Sequence, residues 1–495
     1  MRKIICLFLI CVIVFPSMVI SAREATTIAG GQGSSFVIMA DGSLWAFGQN
    51  AYGQLGDGTD IMRQVPVWVM DDVVAVSARG RTSMAIRNDG TLWAWGRNIK
   101  GQVETGHSWY SINPVQIMDN VISVSVGHTH AAAIRADGSL WMWGSNSSGQ
   151  IGDGTFTEWG HSGMTLLQNN ERQSPIRVME DVVAVTTGSG TTMAIRTDDS
   201  LWIWGVHGLS DRSVWRPWYP TPVQIAEDIA AFSAGDHHNM IIGNDGILWA
   251  WGGNWAGQIG DGTASSYGDN DRFDFVRIMD SVVSVSAGNS HTIAIREDGS
   301  LWVWGMNALG EGEDAYIPVK LMENMVAVAM DAQHNLAIDA DGSLWTWGNN
   351  WGGQLGNPEF GVRTYTPKRL LDSVMLPGNV PIRIIINGQL VALDVAPVII
   401  NDRTMVPFRA IFEAFGMDVE WDSDVNTAIG ISEGFRIELP IGVYTAYING
   451  EREYLDTPAI IHDDRTLVPL RFVAESIGAE VVWDGTSRVI RISVP

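Results

Sequence analysis

Thr292-Ile293-Ala294-Ile295-Arg296-Glu297-Asp298-Gly299-Ser300-Leu301-Trp302-Val303-Trp304-Gly305 is two runs of apolar and small residues around an Asp-Gly pair. Asp-Gly in that setting is the strongest short-range hairpin signal, and a two-residue turn here needs positive φ at both central positions, which these residues tolerate. The unit recurs from Asp41, Asp89, Asp137, Asp198, Asp245, Asp298 and Asp341, each with Leu-Trp three residues on and a closing glycine. The seven copies are spaced by 48, 48, 61, 47, 53 and 43 residues. A near-regular period in this range on β-type units predicts a propeller or solenoid. The fourth copy reads Asp198-Asp199, so Asp199 must take the left-handed position, which Asp does at modest cost.

Residues 23–376 form the repeat array. An Asn-containing loop follows each hairpin, best kept as Asn50-Ala51-Tyr52-Gly53-Gln54-Leu55-Gly56-Asp57-Gly58-Thr59 and again over 146–155 and 254–263. A proline then leads into a short β-branched strand such as Val73-Val74-Ala75-Val76-Ser77. Each repeat therefore supplies about four strands, one propeller blade.

The pattern of β-branched strand, Gly-x-x-His, Ala-Ile, Asp-Gly-x-Leu-Trp-x-Trp-Gly and Asn-x-x-Gly-Gln-Leu-Gly resembles the RCC1 (regulator of chromosome condensation) repeat across all seven copies. The resemblance implies a mainly β fold, a seven-bladed RCC1-like β-propeller. The family's founding member is an exchange factor for a nuclear GTPase, a role that a secretory signal argues against here, and function has to be argued from a site rather than from the fold. Secreted bacterial relatives are expected to bind proteins or surface components.

The composition changes at Pro377, where residues 377–381 read as a linker. The remaining 382–495 are doubled at an offset of 62: Ile386-Asn387-Gly388 returns as Ile448-Asn449-Gly450, and Asp402-Arg403-Thr404-Met405-Val406-Pro407 as Asp464-Arg465-Thr466-Leu467-Val468-Pro469. Each half reads as strands, a short helix opened by Pro407 or Pro469 and stopped by Gly416 or Gly478, then a strand ending at Trp421-Asp422 or Trp483-Asp484. This small duplicated α+β unit resembles the copper amine oxidase N-terminal-like, or stalk, domain, which is common on secreted proteins of Gram-positive bacteria. Despite the name, the resemblance carries no copper ligands, and His462 is the only histidine after residue 376.

Arg2 and Lys3 precede an uncharged apolar run, and Ser21-Ala22 offers a small residue for cleavage, so residues 1–22 read as a secretory signal peptide. Cys6 and Cys11, the only cysteines, lie within it. Removing Arg2 and Lys3 takes the net charge from −24 to −26. Such a chain repels DNA and anionic membrane, so no nucleic acid and no membrane insertion after cleavage are expected. The expected product is a monomer, outside the cell or on its surface. No sorting signal is read at Ile492-Ser493-Val494-Pro495, so release into the medium is expected.

Ser34, Thr82, His130, Thr191, His238, His291 and His334 align at one repeat position. A ring of imidazoles would suggest a metal, but three copies carry a hydroxyl that satisfies the same hydrogen bonds, so the reading is structural. The Gly-Asp-Gly-Thr runs at Gly56, Gly152 and Gly260 bring one carboxylate each, too few for calcium, and read as turns. The Trp pairs, such as Trp93 and Trp95, share one strand face and read as packing between blades. No nucleophile elbow, His-Glu-x-x-His or phosphate loop appears, so neither an enzyme nor a cofactor is expected.

The repeats grow between the Asn loop and the proline, which puts the extensions on one face of the disc. They carry Trp109, Tyr110, Trp159, Trp215, Trp218, Tyr219, Tyr267 and Phe273, residue types that dominate binding energy, and these are the candidate partner-binding residues. The alternative is that they fold down over the blade edges. The resulting expectation is a non-catalytic binding protein whose propeller recognises a protein or cell-envelope polysaccharide, with the C-terminal domain as spacer or attachment module. A carbohydrate-binding or carbohydrate-active protein and an inhibitor or regulator of a secreted enzyme are the alternatives.

Overall fold

A computed structural model describes residues 26–103, 109–159, 166–206, 218–264, 270–310, 313–331, 333–462, 464–485 and 488–495. Seven antiparallel four-stranded sheets occupy residues 28–70, 73–118, 121–179, 182–226, 229–279, 282–322 and 325–371. These are the seven blades, numbered one to seven. Within each, the strands follow in chain order. The first strands of successive blades pack against one another around a ring and wall a central channel.

The ring closes through a composite strand. In blade two the first strand begins with Val73 opposite Arg87. Blade one has Ile28–Gly31 for most of that strand, and the pair equivalent to Val73 and Arg87 is made by Val374 bridging to Met39. The amide of Met375 then donates to the carbonyl of Ile38 at 2.9 Å. A segment from beyond blade seven thus completes blade one and ties the two ends of the array together.

The hairpin between second and third strands lies where expected but is built differently. Gly90 has φ 79°, whereas Asp89 is not left-handed. The amide of Gly90 donates to the carbonyl of Arg87 at 2.9 Å, and that of Arg87 to Thr91 at 3.0 Å. This is a three-residue loop, a type I turn with a glycine bulge, rather than the two-residue turn with two positive φ angles. Asp89 is needed for its carboxylate. It accepts from the amide and hydroxyl of Thr91 at 3.0 and 2.6 Å, and that hydroxyl accepts Trp93 Nε1 at 2.8 Å. The same relay joins Asp41, Ser43 and Trp45, and Asp298, Ser300 and Trp302. Asp199 takes φ 60°, as its place in the fourth copy requires.

The C-terminal halves share their sheets. Arg403–Pro407 of the first half pairs antiparallel with Arg465–Pro469 of the second. Arg383–Ile386 runs parallel to Val489–Ser493, which joins the start of the unit to its end. Helices Phe408–Ala414 and Leu470–Ser476 follow Pro407 and Pro469 and are succeeded by Gly416 and Gly478, both with positive φ.

Candidate functional site

The Asp-Gly turns and the links between blades lie on one face of the disc; the turns after the first strands and the long loops after the third strands lie on the other, termed here the insertion face. The C-terminal unit covers part of the Asp-Gly face. Asn120 donates to Gly388 O at 2.9 Å and accepts from Leu390 N at 2.8 Å, and Arg491 Nη1 donates to Ala136 O at 2.9 Å. Ile385 and Val489 share a buried cluster with Ile122, Ala136 and Leu140. Arg383, 4% exposed, gives one N–H to Ile122 O at 3.1 Å. Burial pulls its pKa down to about 10, and neighbouring Arg491 adds to the effect.

The channel holds about 270 Å³, and Pro377 of the connecting segment stands in its wall. Arg79 of blade two reaches across it. Its guanidinium donates to Ala234 O at 2.6 Å and to Asp236 Oδ1 at 2.8 Å, both of blade five. Asn289 of blade six holds the other oxygen of Asp236 at 2.9 Å. Burial opposes the charge on Asp236, but Arg79 and Asn289 outweigh it and hold the pKa at about 2. The channel is therefore strapped by an ion pair, and both charges are already matched.

The aligned histidines are joints between blades. His130 Nε2 meets Thr192 Oγ1 at 3.0 Å, His238 meets Thr292 at 2.8 Å, His334 meets Ser35 at 2.8 Å and His291 meets Asn335 Oδ1 at 2.9 Å. Burial drives the pKa of His130 and His238 down to about 3, helped by Arg79 at His130 and His291 at His238. These rings are neutral at pH 7. Among the described residues no three His, Cys, Asp or Glu side chains group to hold a metal ion.

The Asn loops are closed units. Asn50 Nδ2 donates to Asp57 Oδ1 and Thr59 O, each at 3.0 Å, while Leu55 N donates back to Asn50 Oδ1 at 2.9 Å. Asp57 also pairs with Arg63 at 2.6 Å. Burial resists its ionisation, but Thr59 and Arg63 prevail and its pKa lies below the ordinary carboxylate value. The loops at Asn146 and Asn254 repeat this arrangement. Its carboxylate is committed within the loop.

Of the candidate aromatics, Trp109 and Tyr110 stand at the start of blade two's outer strand, 76% and 39% exposed. Tyr52 meets Tyr110 edge-on at 6.4 Å, with Arg81 over its own ring at 4.5 Å. Trp159 lies in a short hairpin with Leu166–Gln168, and Trp218 opens blade four's outer strand. Tyr219 is half-buried against blade cores, and Phe273 is half-buried on blade five's outer strand. Trp215 and Tyr267 lie outside the described residues.

The insertion face also carries exposed apolar side chains that the repeat extensions do not flag: Ile61, Met62, Val362 and Trp351, the last 69% exposed. Trp351 and the half-buried Trp255 occupy the place after Asn in the Asn-x-x-Gly-Gln loop, a variable site in a fixed frame. That was the available signal. In contrast, among the described residues the Asp-Gly end of the propeller carries one strongly exposed large apolar side chain, Trp68, whose Nε1 donates to Asp71 of the link at 2.9 Å.

Seven four-stranded blades, five of them hooked to a neighbour by a loop, define a repeat propeller whose variable loops gather on one face. The chain belongs to the RCC1-like domain family, whose model matches residues 12–320. A regulator of chromosome condensation (RCC1) repeat matches residues 341–385, and a copper amine oxidase N-terminal domain matches residues 385–492. Among solved structures, Prp20p from Saccharomyces cerevisiae, reported with its binding properties to Gsp1p and histones, is 16% identical. The match covers 71% of this chain and 88% of that one, with a TM-score of 0.59. Yeast RCC1 (Prp20) bound to Kap60 is 15% identical over 75% and 91% of the two chains, with a TM-score of 0.57. Human WBSCR16 is 18% identical over 66% and 94%, with a TM-score of 0.55. Likeness at these identities is one of fold. No curated protein matches the chain.

Proposed function

We propose that this is a non-catalytic binding protein that acts outside the cell, recognises a protein partner through the insertion face, and carries the C-terminal unit on the opposite face for attachment. The observation that carries the reading is the gathering of exposed aromatic and aliphatic side chains on the insertion face, with Trp109 and Trp351 at its head, against Trp68 at the Asp-Gly end. Large apolar side chains in water mark contact surfaces when they gather on one face, and Trp is the residue type most often dominant in such contacts. The channel ion pair, the histidine joints and the Asn loops are committed to contacts within and between blades, so a catalytic role for them has no support. Protein binding by the yeast propeller of similar fold agrees with a protein partner. The apolar run after Arg2 and Lys3 supports export.

The test uses the protein from residue 23 onward, immobilised and exposed separately to secreted proteins and to cell-wall fragments. A single protein captured by the native chain and lost from a Trp109→Ala, Trp351→Ala double variant supports the reading. Retention on wall polysaccharide alone replaces the protein partner with a glycan. Turnover of a labelled substrate overturns the non-catalytic assignment.

A further inference from the structure

Five blade junctions are sealed in one way. The carbonyl of Gln54 accepts Trp95 Nε1 at 2.8 Å and Ser83 Oγ at 2.9 Å from the next blade. Gln150 does the same for Trp204 and Thr192, and Gln258 for Trp304 and Thr292, all at 2.9 Å. Gln102 accepts Trp143 alone, and Gln354 accepts Ser35 alone. The residue after each glutamine, Leu55, Val103, Ile151, Ile259 or Leu355, is completely buried. A glycine follows on the indole in three of them. A Cβ on Gly56, Gly152 or Gly260 would stand 2.7 Å from the Trp nitrogen.

Blade six lacks this loop. Its third strand, Leu301–Gly310, turns straight back into Glu313–Met322. The receiving side on blade seven is nevertheless intact. Trp347 stands opposite Asn335 as Trp304 stands opposite Thr292. Asn335 Oδ1 is taken by His291, which leaves its NH₂ group directed elsewhere. Neither that group nor Trp347 Nε1 has a hydrogen-bond partner among the described residues, whereas their counterparts at sister junctions converge on one carbonyl. Trp347 and Asn335 line a cavity of about 440 Å³ on the insertion face, together with Ile293, Val303, Ala308 and Tyr365. That volume lies within the range of ligand pockets.

We propose that this cavity is a receptor for a glycine-containing turn of the partner protein. The turn supplies one main-chain carbonyl to Trp347 Nε1 and Asn335 Nδ2, and the next residue inserts an aliphatic side chain against Ile293 and Val303. The cavity is the counterpart of a Gly-Gln-aliphatic-Gly turn because the same fold fills that place with such a turn at four other junctions and with Gly-Gln-Val at a fifth. An acceptor placed there satisfies two donors at once. The proposal deepens the reading of the insertion face as the binding face and rests on it.

The probe is a cyclised peptide with the sequence of residues 254–263, Asn-Trp-Ala-Gly-Gln-Ile-Gly-Asp-Gly-Thr. It is titrated into the whole chain carrying ¹⁵N-labelled tryptophan, with affinity measured by calorimetry. The Trp347 indole proton should move downfield while that of Trp304 stays in place. Trp347→Phe keeps an apolar ring, removes the donor, and should weaken binding about fivefold, the worth of one net hydrogen bond. A second variant, with residues 254–263 grafted into the blade six hairpin, should fill the cavity and abolish the response. No indole shift at millimolar peptide, or equal affinity in Trp347→Phe, overturns the proposal. So does a shift produced by a chito-oligosaccharide and not by the peptide. Loss of the captured partner on Trp109→Ala, Trp351→Ala substitution together with a silent cavity would leave the face assignment standing and remove this pocket from it.

Discussion

The two faces of the disc are made by the same repeats and solve opposite problems. On the Asp-Gly face the turn carboxylate binds the next hydroxyl, which binds the Trp indole, and little polar capacity or apolar surface is left over. On the insertion face hydrogen bonds close the base of the loops instead, through Asn50 and its equivalents and through the histidine joints. The crowns of those loops are left free to vary. The Asp-Gly face shows what the fold requires, and the insertion face shows what it permits. Recognition residues are to be sought where the repeat tolerates change above a closed hydrogen-bonded base.

The base of the insertion face can be broken with acid, which gives the largest expected effect. Burial lowers the pKa of His130 and His238 to about 3, and it also lowers those of His291 and His334. The unfolded chain, with histidine near 6.5, takes up protons first as pH falls. Stability is therefore full above pH 6.5 and drains away toward pH 3, at about 1.4 kcal/mol per pH unit for each such histidine. Asp236, held at about 2, adds its own loss only below about pH 4. Denaturant midpoints between pH 8 and 4.5 should fall steeply below 6.5, and His238→Gln should flatten the slope. A profile level down to pH 4.5 would mean that these joints are not buried neutral rings.

Next in size is the seal between blades. Gly260 sits at φ 87° with no room for a Cβ beside Trp304. Gly260→Ala combines a left-handed alanine with overpacking and should cost about 3 kcal/mol in chemical denaturation. The same change at Gly416, also at positive φ (74°) but with nothing within 4 Å, should cost only the backbone share, about 1 kcal/mol. Equal losses at the two sites would break the claim that the indole contact, rather than the turn alone, requires glycine.

Much of this was legible because it repeats. Seven Asp-x-x-Leu-Trp units, six of them Asp-Gly, with three full Asn loops and a doubled C-terminal unit pointed directly to the propeller and its companion, and the helix starts after Pro407 and Pro469 followed from local chemistry. What was not legible occurs once. Asp-Gly suits a two-residue and a three-residue hairpin alike, so the turn type could not be read from the pair. Docking through Asn120, Arg383 and Arg491 involves single residues far apart in the chain. The cavity beside Trp347 is defined by a loop that is missing, and it becomes visible only when the other junctions show what that loop does.

The covered part of the Asp-Gly face offers a smaller effect. Asn120 makes two hydrogen bonds to the C-terminal unit and itself holds φ 62°. Asn120→Ala should loosen the docking by about 2 kcal/mol, read as faster amide exchange at Gly388 and Leu390. Asn120→Gly relieves the backbone strain while losing the same bonds, and should recover only part of the loss. Full recovery would show that the conformation of the turn, and not the contact, sets the fit of the two units.

The smallest effect on stability separates the faces most directly. Trp109 and Trp351 are 76% and 69% exposed, so replacing both by alanine removes little buried area and should shift the melting temperature by less than about 1 °C, since surface changes of this kind stay within about 0.5 kcal/mol. If these side chains instead folded down to protect the blade edges, the double variant would melt several degrees lower and any loss of partner would be secondary to unfolding. Trp302→Ala, in the relay beside the Asp-Gly turn, supplies the contrast. Its indole is hydrogen-bonded and packed between blades, so it should destabilise the fold without selectively removing a partner. A tryptophan on one face that costs stability and a pair on the other that costs only binding is the pattern expected if this propeller spends one side on its own architecture and the other on recognition.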